Sequence, residues 1–186
     1  MLFTGCGPEQ ARAPFSVAMA PTSDNIVQIV KFYTRGPWLQ FRQDGGPRPD
    51  GFKVSALYLI DGRTDRGAFG SGTIAVNLYV VERNEQGDNV ATKTYEWEYD
   101  AQKAMPFRAK KRTLQGWGYQ LRLNWGDLDL SGKEIEIEIL YRRLDGQTVN
   151  SAPKRLKVPR LGVRRNVIRR SAPPATQTTP GSSPRP

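Results

Sequence analysis

Histidine is absent from the 186 residues and cysteine occurs once. The first absence removes the commonest general base and the commonest transition-metal ligand near neutral pH. Zinc sites, Cys–His nucleophiles and Ser-His-Asp triads are therefore excluded. The second excludes a disulfide within the chain. No apolar run approaches the ~20 residues of a membrane-spanning helix. A P-loop, a Gly-x-Ser-x-Gly elbow and a Gly-x-Gly-x-x-Gly turn opening a helix are also missing. The expectation is a protein with no catalytic residue, no metal and no cofactor.

Acidic residues are missing from the C-terminal end. Of 28 Lys and Arg, Arg160, Arg164, Arg165, Arg169, Arg170 and Arg185 lie beyond Val158, and none of the 18 Asp and Glu does. The 22 cations that remain, set against 18 acids, leave +4 of the formal +10 for the rest of the chain. A net charge of that size is an ordinary solubility setting, so the basic character is read as belonging to the tail. Arg164, Arg165, Arg169 and Arg170, interleaved with Val163, Val167 and Ile168, form the candidate contact with an anionic surface.

What is abundant is alternation. Ile74, Val76, Leu78 and Val80 share one face of an extended segment, as do Tyr95, Trp97 and Tyr99, and Tyr119, Leu121, Leu123 and Trp125. Ile135, Ile137 and Ile139 alternate with Glu134, Glu136 and Glu138, which predicts one buried and one wet face. Strands are expected over 26–33, 38–42, 52–60, 73–82, 90–99, 119–125, 135–142 and 148–158. Asp145-Gly146 is read as a two-residue hairpin with positive φ at both positions. Gly67-Ala68-Phe69-Gly70-Ser71-Gly72 is read as a flexible turn. Asp100 is placed to cap a single helical turn that Pro106 limits.

Together these predict an all-β chain: one antiparallel two-sheet sandwich, immunoglobulin-like, over residues 24–158, with a small barrel as the alternative. Residues 1–23, rich in Pro, Gly and Ala, read as a tether, and 159–186 as a basic then Pro/Ser/Thr-rich disordered tail.

Few side chains suggest chemistry. Asp61 with Asp65, and Asp127 with Asp129, are the carboxylate pairs a calcium site or hydrolase would need, and turn formation explains both. Trp97, Tyr119 and Trp125 are assigned to the core. Trp117, between Gly116 and Gly118, is the aromatic expected to be exposed as a stacking platform. The run Arg108, Lys110, Lys111, Arg112 is read as a solvated loop.

Phe3-Thr4-Gly5-Cys6 resembles the lipobox of bacterial lipoproteins, in which a small residue precedes a cysteine that is lipidated and becomes the N-terminus. Only two residues precede Phe3, so the charged and apolar parts of a signal peptide would lie upstream of the written start. The resemblance implies lipid attachment at Cys6 and an exported domain anchored in the cell envelope, with Gly7 not favouring inner-membrane retention. Its partner would be an unknown protein or envelope polymer, with nucleic acid unlikely. If the written start is the true one, the alternative is a cytoplasmic basic protein that binds nucleic acid through its arginine tail.

Overall fold

A computed structural model of the chain describes residues 20–42 and 48–160. Eleven strands follow one another: β1 (Thr22–Ser23), β2 (Ile26–Phe32), β3 (Trp38–Leu39), β4 (Gly51–Asp61), β5 (Arg66–Gly70), β6 (Thr73–Arg83), β7 (Asn89–Tyr99), β8 (Tyr119–Asn124), β9 (Glu134–Arg142), β10 (Thr148–Asn150) and β11 (Lys154–Lys157). Among the described residues a single 3₁₀ turn, Met105–Phe107, interrupts them, after Asp100 accepts the backbone N–H groups of Gln102 and Lys103.

The strands form two sheets packed face to face, the sandwich that alternation predicted, and neither closes into a barrel. In the first sheet β4 is central, with β2 and β3 paired to it together with β5 and β8, and β1 adding a short parallel edge. The second sheet runs β7-β6-β9, with β10 and β11 dividing the far side of β9. Ile135, Ile137 and Ile139 of β9 are fully buried, as are Ile74, Val76 and Leu78 of β6. They meet Phe52, Val54, Leu57 and Leu59 of β4 and Leu121 and Leu123 of β8 in one core.

That inner set on β4 skips from Val54 to Leu57. Ser55 and Ala56 together oppose the single residue Gln120, a β-bulge that restores the pleat so that both halves of the strand keep apolar residues inward.

Three expectations need correction. Residues 66–70 are strand β5 and not a flexible turn; the turn is only Ser71-Gly72. The glycines mark close approach: the Tyr119 hydroxyl accepts the Gly70 N–H (2.9 Å) and the Tyr141 hydroxyl that of Gly72 (2.7 Å), pinning the corner between the sheets. The β9–β10 hairpin has a three-residue loop, since Gly146 N–H reaches Arg143 O and Arg143 N–H reaches Gln147 O. Only Gly146 has positive φ (85°), the type I turn with a glycine bulge, so Asp145 keeps ordinary backbone geometry. The run 148–158 is two strands, broken at Ser151-Ala152-Pro153.

That break is sealed by a lysine. Lys31 Nζ on β2 donates to Ser151 Oγ (2.7 Å), Ala152 O (2.6 Å) and Ile137 O (3.3 Å), tying the first sheet to the second. Burial holds its pKa down to about 8, against the attraction of Glu138 and Glu136. Burial also raises Tyr33, whose hydroxyl has no partner, and pushes Tyr119 up to about 12.

These shifts act on stability in opposite directions. The unfolded chain holds the Lys31 proton up to its ordinary pKa of 10.5 while the folded chain releases it from about 8, so stability rises with pH across that window. Tyr119 and Tyr33 ionise near 10.0 when unfolded and later when folded, so stability falls above pH 10. Chemical denaturation between pH 7 and 11 should show a rise followed by a fall. Lys31→Met should flatten the rise and leave the fall.

Candidate functional site

The pleat that buries Phe52, Val54, Leu121 and Leu123 turns Lys53 and Arg122 outward. They sit directly opposite one another across the β4–β8 pair. Like charges facing each other on one sheet face destabilise it, and among the described residues no salt bridge relieves either one. The nearest compensation is the Phe41 ring, 5.8 Å from the Arg122 guanidinium.

Over the same outer face runs the segment that joins β7 to β8. Arg108 lies 4.4 Å above the Phe69 ring, and its Nε has no hydrogen-bond partner. Ala109 N–H then reaches Gly118 O at 2.8 Å, and Thr113 exchanges backbone hydrogen bonds with Gly116 at 2.9 and 3.1 Å. Lys110, Lys111 and Arg112 are thereby held as a three-residue bridge fastened at both ends. A further clasp binds the segment to β5, because Gly67 N–H donates to Gln115 O and Trp117 N–H to Gly67 O. Gly116 has φ of +106°, and any side chain there would collide with the Gly67 backbone, so the approach requires glycine.

Two cavities flank this bridge. The larger, about 820 Å³, has Lys53 and Arg122 in its floor and Arg108, Lys110 and Lys111 in its wall; no carboxylate among the described residues lines it. The second, about 640 Å³, lies between Lys110, Lys111 and Arg112 on one side and Arg66 with Trp117 on the other, and among the described residues Asp61 is its one acidic lining residue. None of these seven cations makes a salt bridge among the described residues.

Trp117 corrects the sequence reading. It is 6% exposed, with its ring 5.6 Å from Phe69, and so is no free stacking platform. The flanking glycines explain the reversal: they let the chain press onto β5 and β4 and drive the indole inward, where isolation in a loop had suggested the opposite. Tyr119 and Trp125 are in the core as expected, while Trp97 is partly buried and closes the β7–β8 side by donating from Nε1 to Asn124 O (2.9 Å). The run Arg108–Arg112 is exposed in large part, yet it walls both cavities.

Cys6, Arg164, Arg165, Arg169 and Arg170 lie outside the described residues. Of the aspartates, Asp61 accepts the Arg63 N–H, Asp127 pairs with Arg42, and Asp129 accepts the Ser131 N–H and pairs with Arg48. No group of three potential metal ligands occurs among the described residues.

Reasoning along the sequence missed Lys53 and Arg122. The alternation that placed Phe52, Val54, Leu121 and Leu123 inward already turned both cations outward; only the pairing of β4 with β8 was unknown. Lys53→Glu converts the repulsive cross-strand pair into an attractive one. It should raise stability by about 0.2–1 kcal/mol in denaturant titration. Compared with protein-family models, with curated proteins and with solved structures, the chain has no match in any of the three.

Proposed function

We propose that the chain is a non-enzymatic binding module of the bacterial cell envelope, tethered through a lipidated Cys6, whose groove holds an anionic polymer. One observation carries this reading: five cations surround a concave sheet face that, among the described residues, contains no carboxylate. A folded domain gains nothing in stability from Lys53 opposite Arg122, whereas a ligand bearing phosphate, sulfate or carboxylate groups satisfies both. Arg108 supplies a planar fork already oriented by stacking on Phe69, so little freedom is lost when an anion arrives. The lipobox-like Phe3-Thr4-Gly5-Cys6 supports the location.

Binding of fluorescently labelled inorganic polyphosphate, followed by anisotropy at several salt concentrations, tests the groove. Lys53→Gln with Arg122→Gln should weaken it at least about tenfold, since a hydrogen bond to a charged group contributes about 1.5–3 kcal/mol. Replacing Arg164, Arg165, Arg169 and Arg170 by Gln should leave most of the affinity. The reverse result moves binding to the arginine tail and rejects the groove. Mass spectrometry of protein expressed with its upstream sequence tests the anchor separately, and an unmodified Cys6 rejects it.

A further inference from the structure

Leu114 is 94% exposed, the most exposed large apolar side chain among the described residues. Single exposed leucines are common on proteins and by themselves signify little. Here the position is unusual. Leu114 follows Lys110, Lys111 and Arg112, and it occupies the turn closed by the two Thr113–Gly116 hydrogen bonds. The turn is fixed from three directions: the Thr113 hydroxyl is 3.1 Å from that of Tyr58, Arg66 Nη1 donates to Leu114 O at 2.8 Å, and Gln115 O accepts from Gly67. The backbone is firmly held while the apolar side chain stays in water, with Arg66 on its own carbonyl and Lys110, Lys111 and Arg112 just before it in sequence.

The start of the described chain adds a second observation. Ala20 and Pro21, where the N-terminal segment joins β1, line the same cavity as Arg66, Lys110, Lys111 and Arg112. Fourteen residue steps lead from Cys6 to Ala20. At about 3.3–3.6 Å each they cannot hold Ala20 more than ~50 Å from Cys6, whatever their conformation. A lipid on Cys6 therefore keeps this particular corner of the sandwich within reach of the bilayer surface.

We infer that the Lys110–Leu114 bridge docks on an anionic lipid bilayer, with Leu114 entering the interface and Lys110, Lys111, Arg112 and Arg66 facing the headgroups. The arrangement combines the two forces that hold peripheral proteins on membranes, apolar insertion and attraction to anionic lipid. The location rests on the envelope reading above; the docking surface is a separate property of the folded domain. It would orient the polymer groove, which shares Lys110 and Lys111 with the bridge, toward the membrane surface.

The test uses the full chain carrying Cys6→Ser, so that no lipid contributes, and sedimentation with vesicles of phosphatidylcholine containing about one third phosphatidylglycerol. The chain should bind these and not pure phosphatidylcholine vesicles. Leu114→Ser should weaken binding about tenfold, given the worth of burying a leucine. Replacing Lys110, Lys111 and Arg112 by Gln should weaken it about fivefold per charge. Two control variants, Lys53→Gln with Arg122→Gln and the quadruple Arg→Gln variant of the tail, should retain vesicle binding. The first of these still loses polyphosphate, which separates this surface from the groove. Absence of binding to the anionic vesicles, or binding untouched by both bridge variants, overturns the inference. So does a lipid-free dimer abolished by Leu114→Ser, which would place that side chain against a second copy.

Discussion

The pleat of β4 and β9 is the constraint on which the rest depends. Once Ile135, Ile137 and Ile139 are committed to the core against Phe52, Val54, Leu57 and Leu59, the residues between them have nowhere to go but outward. A one-residue slip of β4 would carry Lys53 into that core as an unpaired buried charge, at a cost of several kcal/mol. The bulge at Ser55-Ala56 shows how strictly this phase is kept: one extra residue is absorbed so that Leu57 and Leu59 stay inward. The outward position of Lys53 and Arg122 thus follows from the demand of the core on their neighbours along each strand.

The two outer faces handle charge differently. On the second sheet Arg142 bridges Glu96 and Glu98, Lys93 pairs with Glu96, Arg155 with Glu136, and Tyr79 donates to Glu138. Each such surface pair is weak, about 0–1 kcal/mol, but together they leave that face electrically settled. The first sheet has the opposite character where Lys53, Arg122 and the 108–112 segment meet. Folding gathers like charge there and provides a stacked ring for Arg108 and for Arg122 in place of a carboxylate. A face arranged for stability alone would alternate signs, as the second sheet does.

Much of the sandwich was legible because strand alternation is a local signal. Ile135, Ile137 and Ile139 announce their burial within seven residues, and no partner strand need be known. The errors arose where a local sign had two physical causes. Glycine was read as freedom at residues 67–72, whereas Gly67 and Gly70 are there because other segments of the chain press against them; the same pressure, through Gly116 and Gly118, hides Trp117. Asp145-Gly146 needs only one residue with positive φ once the loop has three residues, and loop length depends on where the flanking strands pair. Lys31 offered no sign at all, since its three acceptors belong to β9 and to the break beyond Asn150.

The groove was hidden for a different reason: net charge is a sum and not a map. Outside the tail the chain carries only +4, which reads as a plain solubility setting. That small excess conceals a segregation in which acids and bases neutralise one another on β6, β7, β9 and β11, while seven cations from β4, β5, β8 and the 108–112 segment collect where almost no acid follows them. Recovering that from sequence requires strand pairing, because Lys53 and Arg122 become neighbours only when β4 meets β8. The arginine tail drew attention because its charges are adjacent in sequence. Those in the fold lie farther apart along the chain, but they are held by hydrogen-bonded backbone and stacked rings, and an anion meeting them finds cations whose freedom folding has already reduced.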